Sequence, residues 1–447
     1  MSDSSSLSVI QADYNSDLSA IQANNPERYP ALLESVARGS HGRYDILLAF
    51  PQQSLSLTAE ELSNTSFLDT FDQCWNSEFK AITSDFPFSG GWFLYLGYEL
   101  AAQVEPSLLA QTQALLAQSE NDFPVAFALR IPTAIIRDHD KKQLWLISEA
   151  GFDHYLPLLK ADLQSKPYLS AAIECCLIED HAERYLSDVE RIKQWILDGD
   201  VFQVNHSRNW QGNLAPKVSA ADVYSCLRQA NPAPFSCLVY HQKQAIISSS
   251  PERLVRCQQG TVETRPIAGT RPRHSQTDDD QVKKALLMHP KEQAEHIMLV
   301  DLERNDLGRV CEAGSVEVDE LMVLETYQHV HHIVSNIRGR LRADVSPGQV
   351  LKAVFPGGTI TGCPKVRCME IIAELEQVPR GVYTGSVGYV NHDGSMDFNI
   401  LIRTFSYRVG HLEFRAGAGI VADSVAHNEL EETRAKAKGL MKAVTTG

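Results

Sequence analysis

Two periodicities alternate along this chain. Short runs filled or alternated with apolar residues predict strands. In the first half these are ALLES (31–35), RYDILLAFP (43–51), GGWFLYLGY (90–98), Val125 to Ile131 and Leu144 to Ser148. Between them, apolar positions spaced by three and four predict helices near 57–63, 67–82 and 106–118. Residues 1–15 read as a polar tail, 16–165 as a strand-rich region, and Gln164 to Cys176 as a connector.

A second unit spans 183–447. Tyr185, Val189, Ile192 and Ile196 mark one face of an amphipathic helix. Val201 to Asn205 predicts a strand, 219–230 a helix, and 235–240 with 244–249 a hairpin-like pair. A long helix is expected from about Lys283 to Leu302, strands and turns over 308–342, and helices at 347–354 and 365–375. Strands at 382–391, 396–408 and 411–416 and a helix from Ala426 to Ala443 close the chain. Strands in antiparallel-looking runs with interspersed helices predict α+β.

Composition narrows the class. The 447 residues are 43% hydrophobic, enough for a large core, and the net charge is −15. An acidic chain lacks the Lys and Arg excess that neutralises phosphates, which excludes non-specific nucleic-acid binding. Residues 1–17 show no signal-peptide pattern, and no apolar run is long enough to span a bilayer. The nine cysteines form no CxxC pairs, so neither a zinc site nor a disulfide framework is indicated. A cytoplasmic protein with reduced thiols is expected.

The candidate chemistry centres on TRPIAGTRPR (264–273), a stretch carrying Gly269 and Thr270 among the cations Arg265, Arg271 and Arg273. Glu292 with Glu295, and Glu429 with Glu432, are three apart on two predicted helices. Such carboxylates suit one hard divalent cation, or simply a solvated face. Lys436 follows Glu432 by four, as a salt-bridge partner or a cation facing an anion. PGGTITG (356–362) and Gly417 with Gly419 bring glycines close to a ligand or make ordinary turns; neither is a Walker loop. His332 and Glu252 are acid/base candidates if they reach a pocket. Arg403, inside an apolar strand, needs an anionic partner, and a carboxylate suits it.

Taken together, SPERL (250–254), RPIAGTRPR (265–273), KEQAEHIMLVDLERNDLGRV (291–310), HHIVS (331–335), PGGTITGCPKVRCMEII (356–372), YTGSVGY (383–389), AGAGIVADS (416–424) and EETRAKA (431–437) resemble the chorismate-utilising enzymes. That family includes anthranilate synthase component I, aminodeoxychorismate synthase component I and the isochorismate and salicylate synthases. The resemblance implies two large antiparallel sheets packed as a sandwich with helices outside. It implies Glu295 and Glu432 as Mg2+ ligands, supported by Glu292 and Glu429. Gly269, Thr270, Gly417, Gly419 and Lys436 would hold the ring carboxylate, Tyr383 and Arg403 the enolpyruvyl carboxylate, and Glu252 and His332 would serve as acid and base.

Within the family, Gln203 stands where the water-using members carry a lysine, which favours ammonia as nucleophile. RYDILLAFP, GGWFLYLGYEL, NPAPFS (231–236) and PGGTITG resemble aminodeoxychorismate synthase. PIAGT (266–270) and ALLES resemble anthranilate synthase, because Ala268 occupies the position of a nucleophilic lysine. The first set is weighted more heavily. The expected reaction is chorismate plus ammonia to 4-amino-4-deoxychorismate through non-covalent 2-amino-2-deoxyisochorismate. The alternatives are anthranilate formation and a non-catalytic chorismate-binding regulatory partner. The sequence shows no Gly-x-Cys-x-Gly nucleophile turn, so a heterodimer with a glutamine amidotransferase subunit is expected.

Overall fold

The computed structural model describes residues 7–37, 42–81, 84–119, 122–171, 173–272, 290–326 and 330–445; for Ala268, Thr270 and Glu292 it describes the backbone alone. Arg273, the acidic Asp278–Asp280 run and the expected helix start at 283 lie outside these residues.

Two antiparallel sheets form the body. The first has twelve strands, in the order Ser8–Ala12, Gln143–Ser148, Thr133–Asp138, Tyr44–Ala49, Ala31–Glu34, Phe235–His241, Gln244–Ser250, Thr404–Arg408, His411–Ile420, Gln203–Asn213 and Gly362–Cys363, with Ile178–Glu179 also pairing Gln203–Asn213. The second has ten: Ile267–Pro272, Val330–Arg340, Thr261–Thr264, Arg253–Gln258, Met396–Asn399, Ser386–Asn391, Gly91–Leu96, Ala126–Ile131 and Ser54–Leu57, with Glu317–Thr326 also pairing Val330–Arg340. This is the expected α+β sandwich.

The strand alternation explains the layering. Along Gly91–Leu96, Phe93 and Tyr95 join Ile46, Leu48, Ile136, Val239 and Ile246 of the first sheet in the layer between the sheets. Trp92, Leu94 and Leu96 point the other way, into a core with Phe71, Leu351 and Ile372 from the helices. The opposite face of the first sheet packs Ile247, Phe405 and Phe414 against Tyr224, Leu227, Ala437 and Leu440. A strand buried on both faces reads as a continuous apolar run, and every residue of Gly91–Leu96 is buried.

Several expectations change. Both sheets take strands from the 16–165 and the 183–447 regions, so the two regions share their cores. The expected tail supplies an edge strand, with Ser8–Ala12 paired to Gln143–Ser148. Residues 59–64 are turns rather than a helix. The Leu18–Asn24 helix was not anticipated; Asp17 caps it by accepting from the Ser19 and Ala20 amides.

The change that matters most for function is at 396–408. One strand was expected; there are two, in different sheets. Met396–Asn399 lies in the second sheet and Thr404–Arg408 in the first. A parallel event occurs where Gln244–Ser250 leaves the first sheet and Arg253–Gln258 enters the second. The two crossovers run side by side. The Ile400 amide donates to the Glu252 carbonyl (3.0 Å), and the Ser249 amide to the Arg403 carbonyl (3.1 Å). Glu252 and Arg403, 151 positions apart in number, thereby become neighbours.

Candidate active site

Arg403 turns the second crossover with φ of 52°, a left-handed conformation that a bulky residue adopts only under constraint. It is therefore not inside a strand, as the apolar flanks suggested. Burial pulls its guanidinium below the usual arginine range, while the Glu252 charge opposes this. Among the described residues its side chain makes no hydrogen bond or ion pair. A half-buried guanidinium in that state is arranged to receive an anion.

Glu252 is 6% exposed. Burial pushes its carboxyl up to about 7, against the pull of Thr359, Lys436 and Arg403. Its Oε1 is buried without a hydrogen-bond partner among the described residues. The carboxyl thus changes protonation near neutrality, as a general acid or base requires. His332 behaves differently. Burial, with Arg403 and His331 nearby, lowers its imidazole to about 4, so the ring is neutral at pH 7. It bonds to the Gly269 backbone, which helps fix its orientation.

Gly269 itself has an explanation the sequence did not offer. Ile267–Pro272 is an edge strand, paired along Val330–Arg340. The register slips between Ala268 and Thr270, with Ala268 opposite Ile333 and Thr270 opposite His332. Gly269 is the bulged residue, at φ 63°. The bulge brings the Gly269 backbone to His332.

The glycines of AGAG also take a definite role. Gln203–Asn213 and His411–Ile420 pair with Asn205 opposite Gly419 and Ser207 opposite Gly417. The two amide side chains lie over these glycines. A Cβ at Gly419 would sit 2.2 Å from Gln203 Nε2. A Cβ at Gly417 would sit 2.7 Å from Asn205 Oδ1, 2.8 Å from the Tyr383 hydroxyl and 2.9 Å from the His206 carbonyl. Gly417→Ala is therefore expected to destabilise the fold by about 1–3 kcal/mol and to weaken chorismate turnover, read by thermal unfolding and by chorismate consumption. A melting curve and rate equal to wild type would contradict this close packing.

Lys436 closes this side. Its ammonium donates to the Gly417 carbonyl (2.9 Å) and pairs with Glu432 (2.9 Å). Tyr383 is held next to the Arg403 crossover, because the Thr384 amide donates to Leu401 (2.8 Å). Burial raises the Tyr383 phenol to about 12, so it stays a donor. Glu252, Arg403, Lys436, Tyr383, Gly417, Gly419 and Gln203 are thus linked in one region, with Gly269 and His332 joined to it through Arg403.

For the acidic pairs the outcome is partial. Glu429 and Glu432 lie one turn apart on Ala426–Val444 and both face Tyr185, whose hydroxyl is raised first by burial and then by these charges. Glu295 is half-buried on Pro290–Gly308. Among the described residues no group of three or more His, Cys, Asp or Glu side chains is gathered as a ready-made metal site. The donor chemistry nonetheless fits Mg2+, which takes one or two protein carboxylates and completes its shell with substrate oxygens and water.

Sequence reasoning missed three features. Asn205 follows Gln203 by two and shares its strand face. Thr359, in a motif noted for its glycines, places a buried hydroxyl near Glu252. Glu376 anchors a buried charge network behind Tyr383, beside a cavity of about 540 Å³. Burial opposes ionisation of Glu376, yet Arg380 and Arg415 hold its carboxyl at about 2.

Comparison with known proteins places the chain in a family. The chain is 40% identical over 90% of its length to an anthranilate synthase component I-like protein of Synechocystis, covering 83% of that protein. It is 38% identical to aminodeoxychorismate synthase component 1 of Bacillus subtilis, over 93% of this chain and 92% of the relative. Among solved structures, anthranilate synthase component I of Streptococcus pneumoniae superposes with a TM-score of 0.79 at 30% identity, covering 90% of this chain and 93% of that one. The menaquinone-specific isochorismate synthase of Escherichia coli shares the fold, with a TM-score of 0.75 at 18% identity over 99% and 95% of the two chains. A family model described as chorismate binding enzyme matches residues 29–442, and the chain belongs to that family.

Proposed function

We propose that this enzyme converts chorismate and ammonia to 4-amino-4-deoxychorismate. The observation that carries the reading is the arrangement around Glu252: a buried carboxyl that titrates near 7, two cations, Arg403 and Lys436, and an uncharged Gln203 with Asn205 where a base would serve a water nucleophile. Chorismate is a dianion, and an acidic protein needs local cations to hold it. Arg403 and Tyr383 receive the enolpyruvyl carboxylate. Lys436, Thr270 and the glycine backbone receive the ring carboxylate.

Ammonia attacks C2 of the ring, the double bonds shift, and the C4 hydroxyl leaves as water with the proton that Glu252 carries. The new ammonium returns one proton to the Glu252 carboxylate. A second ammonia then attacks C4, the C2 amine departs as ammonia with the proton of Glu252, and the C4 ammonium returns a proton to that carboxylate, so one ammonia is consumed and one water released. Neutral His332 orients the leaving hydroxyl by hydrogen bonding. Mg2+, held by Glu295 and Glu432 with Glu292 and Glu429 in support, would draw electron density from the ring through its carboxylate. Ala268 offers no nucleophile, so no covalent adduct forms. Ammonia is supplied by a glutamine amidotransferase partner, in keeping with the component 1 designation of the relatives.

The near full-length match to an aminodeoxychorismate synthase supports this product. A second reading, anthranilate and pyruvate, is favoured by PIAGT and by the 40% identity to an anthranilate synthase-like protein. Incubation with chorismate, ammonium chloride and magnesium separates them. A non-aromatic product that a lyase converts to 4-aminobenzoate is expected; fluorescent anthranilate with stoichiometric pyruvate would establish the second reading. Unchanged chorismate would favour a regulatory, non-catalytic protein.

A further inference from the structure

We propose that Tyr185 is a positioning residue for the metal carboxylates, its hydroxyl donating a hydrogen bond to Glu429 when Mg2+ is bound; the proposal rests on the reading of Glu295 and Glu432, with Glu429 in support, as the carboxylates that hold the ion. Tyr185 lies on the buried face of Ala182–Leu197, a helix packed against Ala426–Val444. It is 2% exposed, and its hydroxyl is buried without a hydrogen-bond partner among the described residues. Its ring stacks on His206, with centroids 5.0 Å apart and planes 7° from parallel. The Arg208 guanidinium lies 5.6 Å from the ring centre. These two neighbours fix the ring and hence where its hydroxyl points. Buried hydroxyls are normally satisfied, and an orphan costs the desolvation of that group.

The helix opposite supplies the acceptor. Glu429 stands in the first turn of Ala426–Val444 and is 7% exposed. Thr433, four residues on and therefore on the same helix face, accepts from Arg208 (3.4 Å), the same cation that lies over Tyr185. The face that carries Glu429 and Thr433 thus rests on the Tyr185–Arg208 pair. After burial, the charges that raise the Tyr185 phenol most are Glu429 and then Glu432, so the phenol keeps its proton and can donate it to a carboxylate. Glu432 is the poorer acceptor, because it is exposed and pairs with Lys436 at 2.9 Å. A buried carboxylate costs free energy unless it is hydrogen-bonded or faces a cation. Carboxylates at a metal are in turn held by outer hydrogen bonds that fix their orientation. Tyr185 gives Glu429 that bond, so the carboxylate meets the ion in one orientation.

The test titrates the full chain with Mn2+ in place of Mg2+, with chorismate present and ammonium omitted, and reads the free ion by electron paramagnetic resonance. Tyr185→Phe keeps the ring on His206 and Arg208 and removes only the hydroxyl. It is expected to raise the Kd for Mn2+ about tenfold, the usual effect of losing a partner that orients a metal carboxylate. In EDTA the same variant is expected to melt at or above the wild-type temperature, because an orphan hydroxyl stabilises nothing there. Glu429→Ala is also expected to weaken Mn2+ binding, and adding Tyr185→Phe to it is expected to change the Kd by less than about twofold, since the hydroxyl acts only through Glu429. The proposal is overturned by a wild-type Kd in Tyr185→Phe, by a full additional loss on top of Glu429→Ala, or by a melting temperature in EDTA clearly below wild type, which would assign the hydroxyl to the fold. A Glu432→Gln variant that binds Mn2+ as tightly as wild type, or a wild-type chain that binds none, would instead remove the metal reading itself, and the proposal with it.

Discussion

Glu252→Gln is expected to lower chorismate turnover by about 10²–10⁴-fold, the usual contribution of a positioned acid or base. The wild-type rate is expected to fall as pH rises through about 7, where Glu252 loses the proton the leaving hydroxyl needs. In the variant that limb disappears. The same substitution has an opposite effect on stability, which separates catalysis from unfolding. The folded-state pKa of Glu252, about 7, lies above its ordinary 4.5. Wild-type stability therefore declines as pH rises from about 4.5 through 7, and remains lower above it. Glutamine removes that penalty, so the variant is expected to be more stable than wild type at pH 8, by on the order of 3 kcal/mol at most, and equal to it near pH 4. A variant that is inactive and also less stable at pH 8 would show that Glu252 holds the fold rather than the reaction.

Glu376→Ala is expected to cost about 3–5 kcal/mol, the effect of leaving buried cations unpaired. The reason lies at an open sheet edge. Between the stretches where Gln203–Asn213 pairs with Gly362–Cys363 and with Ile178–Glu179, a helix side chain substitutes for a neighbouring strand. Glu376 accepts from the Ser207 amide (2.9 Å) and hydroxyl (2.8 Å), while Arg380 donates to the Asn205 carbonyl (2.7 Å). Arg380 and Arg415 pair with the same carboxylate at 2.7 and 3.0 Å. With its pKa held near 2, below the usual 4.5, Glu376 contributes stability that is present above pH 4.5 and lost as pH falls toward 2. The alanine variant is expected to unfold at lower temperature at pH 7, and to lose this acid-dependent part of its unfolding curve. Arg380 also stacks over Tyr383 at 5.4 Å, so a weaker KM for chorismate is expected to accompany the loss of stability. Wild-type melting behaviour at pH 7 would show that the pair contributes little.

Much of the architecture was legible from local pattern. Gly91–Leu96 was readable because burial on both faces leaves an uninterrupted apolar run, and Ala426–Val444 because its apolar spacing is helical. The Ser8–Ala12 edge strand was not, since an edge strand half in solvent has little apolar signal. The break at Ile400–Arg403 was invisible for another reason. Its residues are as apolar as a strand, and only pairing with two different sheets ends one strand and starts the next.

The candidate site divides in the same way. Sequence alone determined the residue types and their order: acid pairs at helical spacing, glycines in AGAG, a glutamate after Ser-Pro, an arginine among apolar residues. These follow from chemistry that acts within a few residues. Only the tertiary structure decided that Glu252 and Arg403 meet, because two crossovers run side by side. It also decided that Gly269 is a bulge facing His332, and that Gly417 and Gly419 make room for Gln203 and Asn205. Burial is a property of the assembled chain, and it is burial that moves Glu252 up to about 7 and His332 down to about 4. The groups were written in the sequence; their protonation at neutral pH was set by the fold around them.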